Sequence, residues 1–343
     1  MPYWRRHSRR VGFYGARERG NGYNMKLPLS GVVPPMVTPL RGRDELDLPG
    51  LERLIEHILA GGVSGLFILG TTGEGPSLSY HLRRELVERT CRQVRGRVPV
   101  LVGITDTAFV ESVDLARHAA TAGADALVIA PPYYFTEGQP ELGEYLDHLV
   151  AELPLPLFLY NAPKNTKVQY ELGTLRRALD MPKIVGLQDS SGNLDYFHNA
   201  VGLLKHRPDW SLLVGPEELL AEGVLAGGHG GVPGGANLFP RLYVRLCEAA
   251  HAGDGSRSGH LHAQVMRISQ SLYQIGSHPS AVIKGIKCAL GCLGICNDFM
   301  AEPFHRFRAG GRARVQSYLP ELTAGVETLV SHHRPTPPDH STP

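Results

Sequence analysis

The stretch Asp125-Ala126-Leu127-Val128-Ile129-Ala130-Pro131-Pro132-Tyr133-Tyr134 decides the fold. Its apolar run does not alternate and is too short for a helix. It reads as a strand buried on both faces, as in a parallel sheet held between a core and a helical layer. Just before it, Thr121-Ala122-Gly123-Ala124 closes an amphipathic stretch with a glycine suited to a left-handed helix end. Leu59-Ala60-Gly61-Gly62 and Leu225-Ala226-Gly227-Gly228 repeat that punctuation.

Working outward, the same unit of short apolar run, turn and amphipathic segment places strands at 31–37, 65–69, 99–104, 126–130, 157–160, 184–188, 211–214 and 230–233. The intervening segments carry helical spacing, as in Leu51, Leu54, Ile55 and Ile58. Eight such units predict an α/β fold, a (β/α)8 TIM barrel. A doubly wound open sheet would need a glycine-rich nucleotide loop after the first strand, where this chain has Val33-Pro34-Pro35-Met36. Beyond about residue 255 the alternation stops, and helices are expected at 261–273, 280–292 and 314–330, a C-terminal helical extension. The expected organisation is a disordered basic extension or misassigned start at 1–24, the barrel at 25–255, the helical layer at 256–333 and a disordered tail at 334–343.

Composition narrows the function. With 343 residues, the chain exceeds the size at which a small disulfide module is conceivable, and 42% apolar and 20% charged residues exclude a wholly disordered chain. The net charge is +2, and the cluster Arg5, Arg6, Arg9, Arg10, Arg17 and Arg19 accounts for more than that, leaving the remainder slightly acidic. No nucleic-acid partner is expected. Five dispersed cysteines, no secretory leader and no apolar run near the ~20 residues of a membrane span predict a cytoplasmic protein with free thiols and no membrane attachment.

In a (β/α)8 barrel the reacting groups lie at the carboxyl ends of the strands. Here those positions read Gly70-Thr71-Thr72-Gly73-Glu74-Gly75, Pro131-Pro132-Tyr133-Tyr134, Tyr160-Asn161-Ala162-Pro163-Lys164-Asn165-Thr166 and Gly186-Leu187-Gln188-Asp189-Ser190-Ser191-Gly192. The glycine-flanked threonine pair offers backbone N–H groups and hydroxyls to a carboxylate or phosphate, so an anionic small substrate is implied.

These motifs, with the turn from Gly230 to Asn237, resemble the dihydrodipicolinate synthase / N-acetylneuraminate lyase family in order and spacing. The resemblance implies a homo-oligomer, dimer or tetramer, that makes or breaks a carbon–carbon bond beside a small-molecule 2-oxo acid such as pyruvate, with no cofactor and no metal. It implies a carboxylate site at Thr71, Thr72 and Gly73, with Asn165 and Val232 as further substrate contacts. Tyr160 would relay protons with Thr71, since a tyrosine is a poor base alone. Tyr134 would reach a neighbouring subunit's site.

Two positions depart from the family. Gln188 stands where its members carry the Schiff-base lysine, and a carboxamide cannot form an iminium. Asn165 stands where the synthases carry an arginine, without its charge or bidentate fork. Lys183 lies toward the wrong end of its strand, Lys164 reads as a solvated loop residue, and Lys284 and Lys287 read as capping or subunit-contact residues. Cys288, Cys292 and Cys296 share a helix face and read as core rather than as a metal or cluster site, and His229 reads as structural. Glu217 and Glu218, after the seventh strand, fit an acid, a rim charge or a helix cap equally. Three functions are weighed: a lyase or hydro-lyase with Tyr160 as acid/base and Gln188 as a non-covalent donor, a non-catalytic 2-oxo-acid-binding or assembly protein, and an iminium aldolase using Lys164.

Overall fold

The computed structural model describes residues 25–276 and 278–331; the basic extension and the tail expected at the two ends lie outside them. The strands are β1 (Gly31–Val32), β2 (Leu40–Gly42), β3 (Glu45–Leu46), β4 (Leu66–Ile68), β5 (Val100–Gly103), β6 (Ala126–Ile129), β7 (Leu157–Asn161), β8 (Ile184–Asp189), β9 (Ser211–Val214) and β10 (Gly230–Gly231). The helices through the strand region are α1 (Leu48–Ala60), α2 (Tyr80–Val94), α3 (Phe109–Ala122), α4 (Gln139–Glu152), α5 (Pro163–Thr166), α6 (Leu172–Leu179), α7 (Leu194–Leu203) and α8 (Leu220–Leu225). Four more follow, α9 (Pro240–His251), α10 (Gly255–Leu272), α11 (Ala281–Cys292) and α12 (Ala309–Ser331).

Eight strands form one parallel sheet in the order β1-β10-β9-β8-β7-β6-β5-β4. Each falls within or beside a stretch expected from the sequence. The first and last are shorter than the apolar runs suggest, because Pro34, Pro35 and Pro233 have no N–H to donate to a ladder. The chain after β1 nonetheless stays beside β4. Ser64 N donates to Val32 O at 2.8 Å, Phe67 N to Pro34 O at 3.0 Å and Met36 N to Phe67 O at 2.8 Å, around a parallel bridge between Pro35 and Phe67.

The unbroken apolar runs now have a physical cause. Along β5, β6 and β7, Leu101, Val128 and Phe158 join one buried cluster with Val33, Phe67, Val185 and Leu213. Their strand neighbours Val100, Val102, Leu127, Ile129, Leu157 and Leu159 join a second, larger cluster with the helices. Both faces of the sheet are therefore covered, and alternation has no solvent to respond to.

The β2–β3 hairpin was not expected. Its strands are three and two residues long, too short to show a period, and its turn has Asp44 at φ 54°. Helix α10 begins earlier than the apolar pattern suggests, where the Asp254 side chain accepts from Arg257 N. Among the described residues no helix is long and apolar enough to cross a membrane.

Candidate active site

Strand β4 ends in strain. Leu69 has φ 60° and Glu74 φ 58°, a left-handed conformation that costs a non-glycine residue of order 1 kcal/mol or more. Neighbouring contacts hold the turn in place. Gly103 on β5 lies under it, where a Cβ would stand only 2.5 Å from the Leu69 carbonyl oxygen, so only glycine fits. Thr38 donates to Gly73 O at 2.6 Å, so Gly73 is a buried anchor while Thr71 and Thr72 face the open space. Both carboxylate oxygens of Glu74 are taken from the C-terminal region, by Lys287 Nζ at 2.6 Å and Ala301 N at 2.7 Å. The capping or subunit-contact reading of Lys287 is therefore overturned: the side chain is fully buried inside the chain.

Tyr160 on β7 and Gln188 on β8 are register partners in the parallel ladder. They project to the same side of the sheet. The Tyr160 hydroxyl is 3.2 Å from Thr71 Oγ1, and Asn165 Nδ2 reaches the same Thr71 oxygen at a long 3.4 Å. Burial raises the Tyr160 pKa, and hydrogen bonds from Thr71 and Ser190 pull it partly back. Ser190 was not singled out in the sequence. Its hydroxyl sits so close to Gly215 that a Cβ there would fall 1.8 Å from it. Asp189 next to Gln188 is buried and accepts from Asn161 Nδ2 at 2.8 Å and Ser191 N at 3.1 Å, which ties the ends of β7 and β8 together. Burial raises its pKa against those hydrogen bonds.

Two hollows meet at Phe67, Thr71 and Tyr160. The first, about 280 Å³, is walled by Thr105, Val128, Tyr133 and Asn165, with Ile283 and Phe304 added from the C-terminal region. The second, about 240 Å³, holds Thr72, Gln188, Ser190, Glu217, Glu218 and Val232. Gln188 is 6% exposed. The Val232 N–H is committed to Val214 O at 2.8 Å, so this residue offers the hollow its side chain.

Glu217 is buried at the edge of the second hollow and accepts from Gly235 N at 2.6 Å, Tyr243 OH at 2.5 Å and Tyr273 OH at 2.9 Å. Burial pushes its carboxyl up to about 7 despite those donors. Neighbouring Glu218 is bound by Ser269 Oγ at 2.6 Å.

The remaining residues fall outside this arrangement. Tyr133 faces the first hollow, but Tyr134 is 77% and Phe135 81% exposed, stacked edge to face with centroids 5.1 Å apart. Lys164 is exposed and lines neither hollow. Lys183 donates to Val150 O and Leu153 O at 2.8 and 2.7 Å, beneath the opposite end of the sheet. His229 accepts from Leu212 N at 3.0 Å, a structural contact. Cys288 and Cys296 are buried, and burial pushes both thiols up to about 12, which keeps them protonated.

Residues 28–321 match the model of the dihydrodipicolinate synthetase family. A 4-hydroxy-tetrahydrodipicolinate synthase of Ralstonia nicotianae is 33% identical over 267 residues, covering 78% of this chain and 88% of that protein. Among solved structures, a dihydrodipicolinate synthase from Bacteroides thetaiotaomicron is 54% identical, with TM-score 0.85 over 87% of this chain and all of that one. A prophage protein of the dihydrodipicolinic acid synthase family from E. coli K12, solved in complex with pyruvate, is 28% identical, with TM-score 0.81 over 86% of this chain and 99% of that one.

Proposed function

The chain belongs to the dihydrodipicolinate synthetase family, and from that membership we propose a lyase of the aldolase or hydro-lyase type that holds a 2-oxo acid such as pyruvate without a covalent bond to the protein. One observation carries this: Tyr160 and Gln188 lie side by side in register, with Thr71 3.2 Å from the tyrosine hydroxyl. Thr71 and Thr72 hold the carboxylate, Gln188 donates its amide N–H to the carbonyl or hydroxyl oxygen, and Tyr160 moves protons through Thr71. The pyruvate complex of the E. coli relative supports the choice of 2-oxo acid.

The hydrogen bonds between the residues after β1 and those of β4, with buried clusters on both faces, support a closed (β/α)8 barrel at 25–255 and a helical layer beyond it. The exposed Tyr134–Phe135 pair supports assembly into a dimer or tetramer. The first hollow has Asn165 and no cationic side chain among its described lining residues, which favours a second reactant that carries no charge at that point.

Calorimetry with pyruvate, followed by borohydride treatment of the mixture, tests the reading. Saturable binding with unchanged protein mass is expected. A mass gain mapped to Lys164 would establish the iminium route instead, and absence of binding would remove the 2-oxo acid.

A further inference from the structure

A 2-oxo acid held without an iminium still needs a group to take a proton from the carbon beside its carbonyl, and Tyr160 is poorly suited because burial raises its pKa. The second hollow contains another candidate. The sheet order is β7-β8-β9, so Gln188 on β8 lies between Tyr160 on β7 and Leu213 on β9, and the turn that leaves β9 begins two residues beyond Leu213. That turn is held against β8 by Gly215 N donating to Asp189 O at 2.7 Å, and it delivers Glu217 to the same hollow as Gln188, Thr71 and Thr72.

The surroundings of Glu217 are those of a carboxyl kept in position rather than neutralised. Tyr243 from α9, Tyr273 just after α10 and Gly235 from the turn after β10 all donate to it, and none carries a positive charge. Among the described residues, the charge of Glu218 on its own turn also faces it. A helix cap needs none of this. In the described structure the Glu217 carboxyl accepts from residues distant in sequence, which separates it from the capping alternative.

We propose that Glu217 is the second proton carrier of the site, acting on the methyl carbon of a bound 2-oxo acid from the side of Gln188 opposite Tyr160. The inference rests on the 2-oxo acid reading above. The carboxylate takes a proton from C3 of pyruvate, and the C3–H electron pair becomes the C2=C3 double bond. The carbonyl π pair moves to the C2 oxygen, where the Gln188 amide donates to the enolate. Exchange of the Glu217 carboxyl proton with heavy water, followed by return of a deuteron from that carboxyl to C3, regenerates pyruvate with deuterium in its methyl group and no net reaction. A carboxyl whose pKa burial brings to about 7 is placed to act in both directions near neutrality.

The test is pyruvate methyl exchange in heavy water, followed by proton NMR, alongside calorimetric affinity. The wild-type protein should bind and exchange, and Glu217→Gln should bind within about threefold while exchange falls by about 100-fold or more, the usual contribution of a positioned acid–base group. Tyr273→Phe removes one donor to the carboxylate, so the inflection in its exchange rate should move to higher pH. A merely structural residue would not move that inflection. Binding without wild-type exchange, retained exchange in Glu217→Gln, or an unmoved inflection in Tyr273→Phe would each overturn the proposal while leaving the binding reading intact. Absence of pyruvate binding would overturn both.

Discussion

The ammonium of Lys287 stands 2.6 Å from Oε1 of Glu74, a contact between residues 213 positions apart whose side chains are both wholly enclosed. Burial lowers the lysine pKa, and the Glu74 charge opposes that effect. The pair joins α11 to the strained turn that carries Thr71 and Thr72. A site at the sheet's mouth thus takes its shape from a helix outside the sheet.

Glu74→Gln leaves the buried Lys287 charge without its hydrogen-bonded counter-charge, and the expected cost is about 3 to 5 kcal/mol. Adding Lys287→Met should recover a large part of it. Urea unfolding of the two variants decides; equal stability of the single variant and the wild type would show that the pair holds nothing together.

Thr72→Val keeps the side-chain shape and removes one hydroxyl, so pyruvate affinity should fall by about 1 to 3 kcal/mol if that hydroxyl bonds the carboxylate. Calorimetry reads the change directly, and unaltered affinity would place the acid elsewhere.

Gln188→Lys puts an amine at the register position beside Tyr160, where desolvation lowers its pKa and raises the share of free amine. Incubation with pyruvate and borohydride should then add mass to a peptide containing residue 188. Binding without trapping would mean that the carbonyl is not presented to this strand.

Exposure of two adjacent rings on one loop favours burial against another copy of the chain. Light scattering should report at least a dimer at micromolar concentration, and replacing both Tyr134 and Phe135 by serine should lower that mass or weaken pyruvate binding. A monomeric parent protein would remove Tyr134 from any shared site.

For Glu217 the unfolded carboxyl releases its proton near the ordinary 4.5, whereas the folded one keeps it up to about 7. Its contribution is therefore fully present below pH 4.5 and is lost as the pH rises through 7, on the order of 3 kcal/mol across that window. Glu217→Gln cannot titrate, so the difference in stability between variant and wild type should change by about that amount between pH 4.5 and 8. Parallel urea-denaturation curves at both pH values would show that the carboxyl is not perturbed.

The frame was legible because repetition is a strong signal: eight apolar runs each followed by a helical period leave few architectures. The β2–β3 hairpin was not, since two- and three-residue strands carry no period. Thr71, Tyr160 and Gln188 could be placed together because they end strands of one sheet. The sequence does carry a clue to the burial of Lys287. This residue lies on α11 among Ile283, Ile286 and Leu290, at spacings of four, one and three, so its face of the helix is the buried one. Finding its partner required knowing that a turn more than two hundred residues earlier would face that helix. The place of Ser190 depends on how close Gly215, in the turn just after β9, comes to it, a distance that sequence spacing does not encode.

Ile283, Phe304 and Tyr273 all come from beyond the eight-stranded frame, yet they line the two hollows. The walls of both hollows are thus built from two separate lengths of chain. In the proposed reading the strand ends hold the groups that transfer protons, and the appended segment narrows the space beside them. Exchanging the residues at 283 and 304 for those of relatives, with Tyr273 and Lys287 kept, should redirect which partner is accepted and leave the proposed proton transfers in place, so drift at these two positions is a route to new substrates that spares the scaffold.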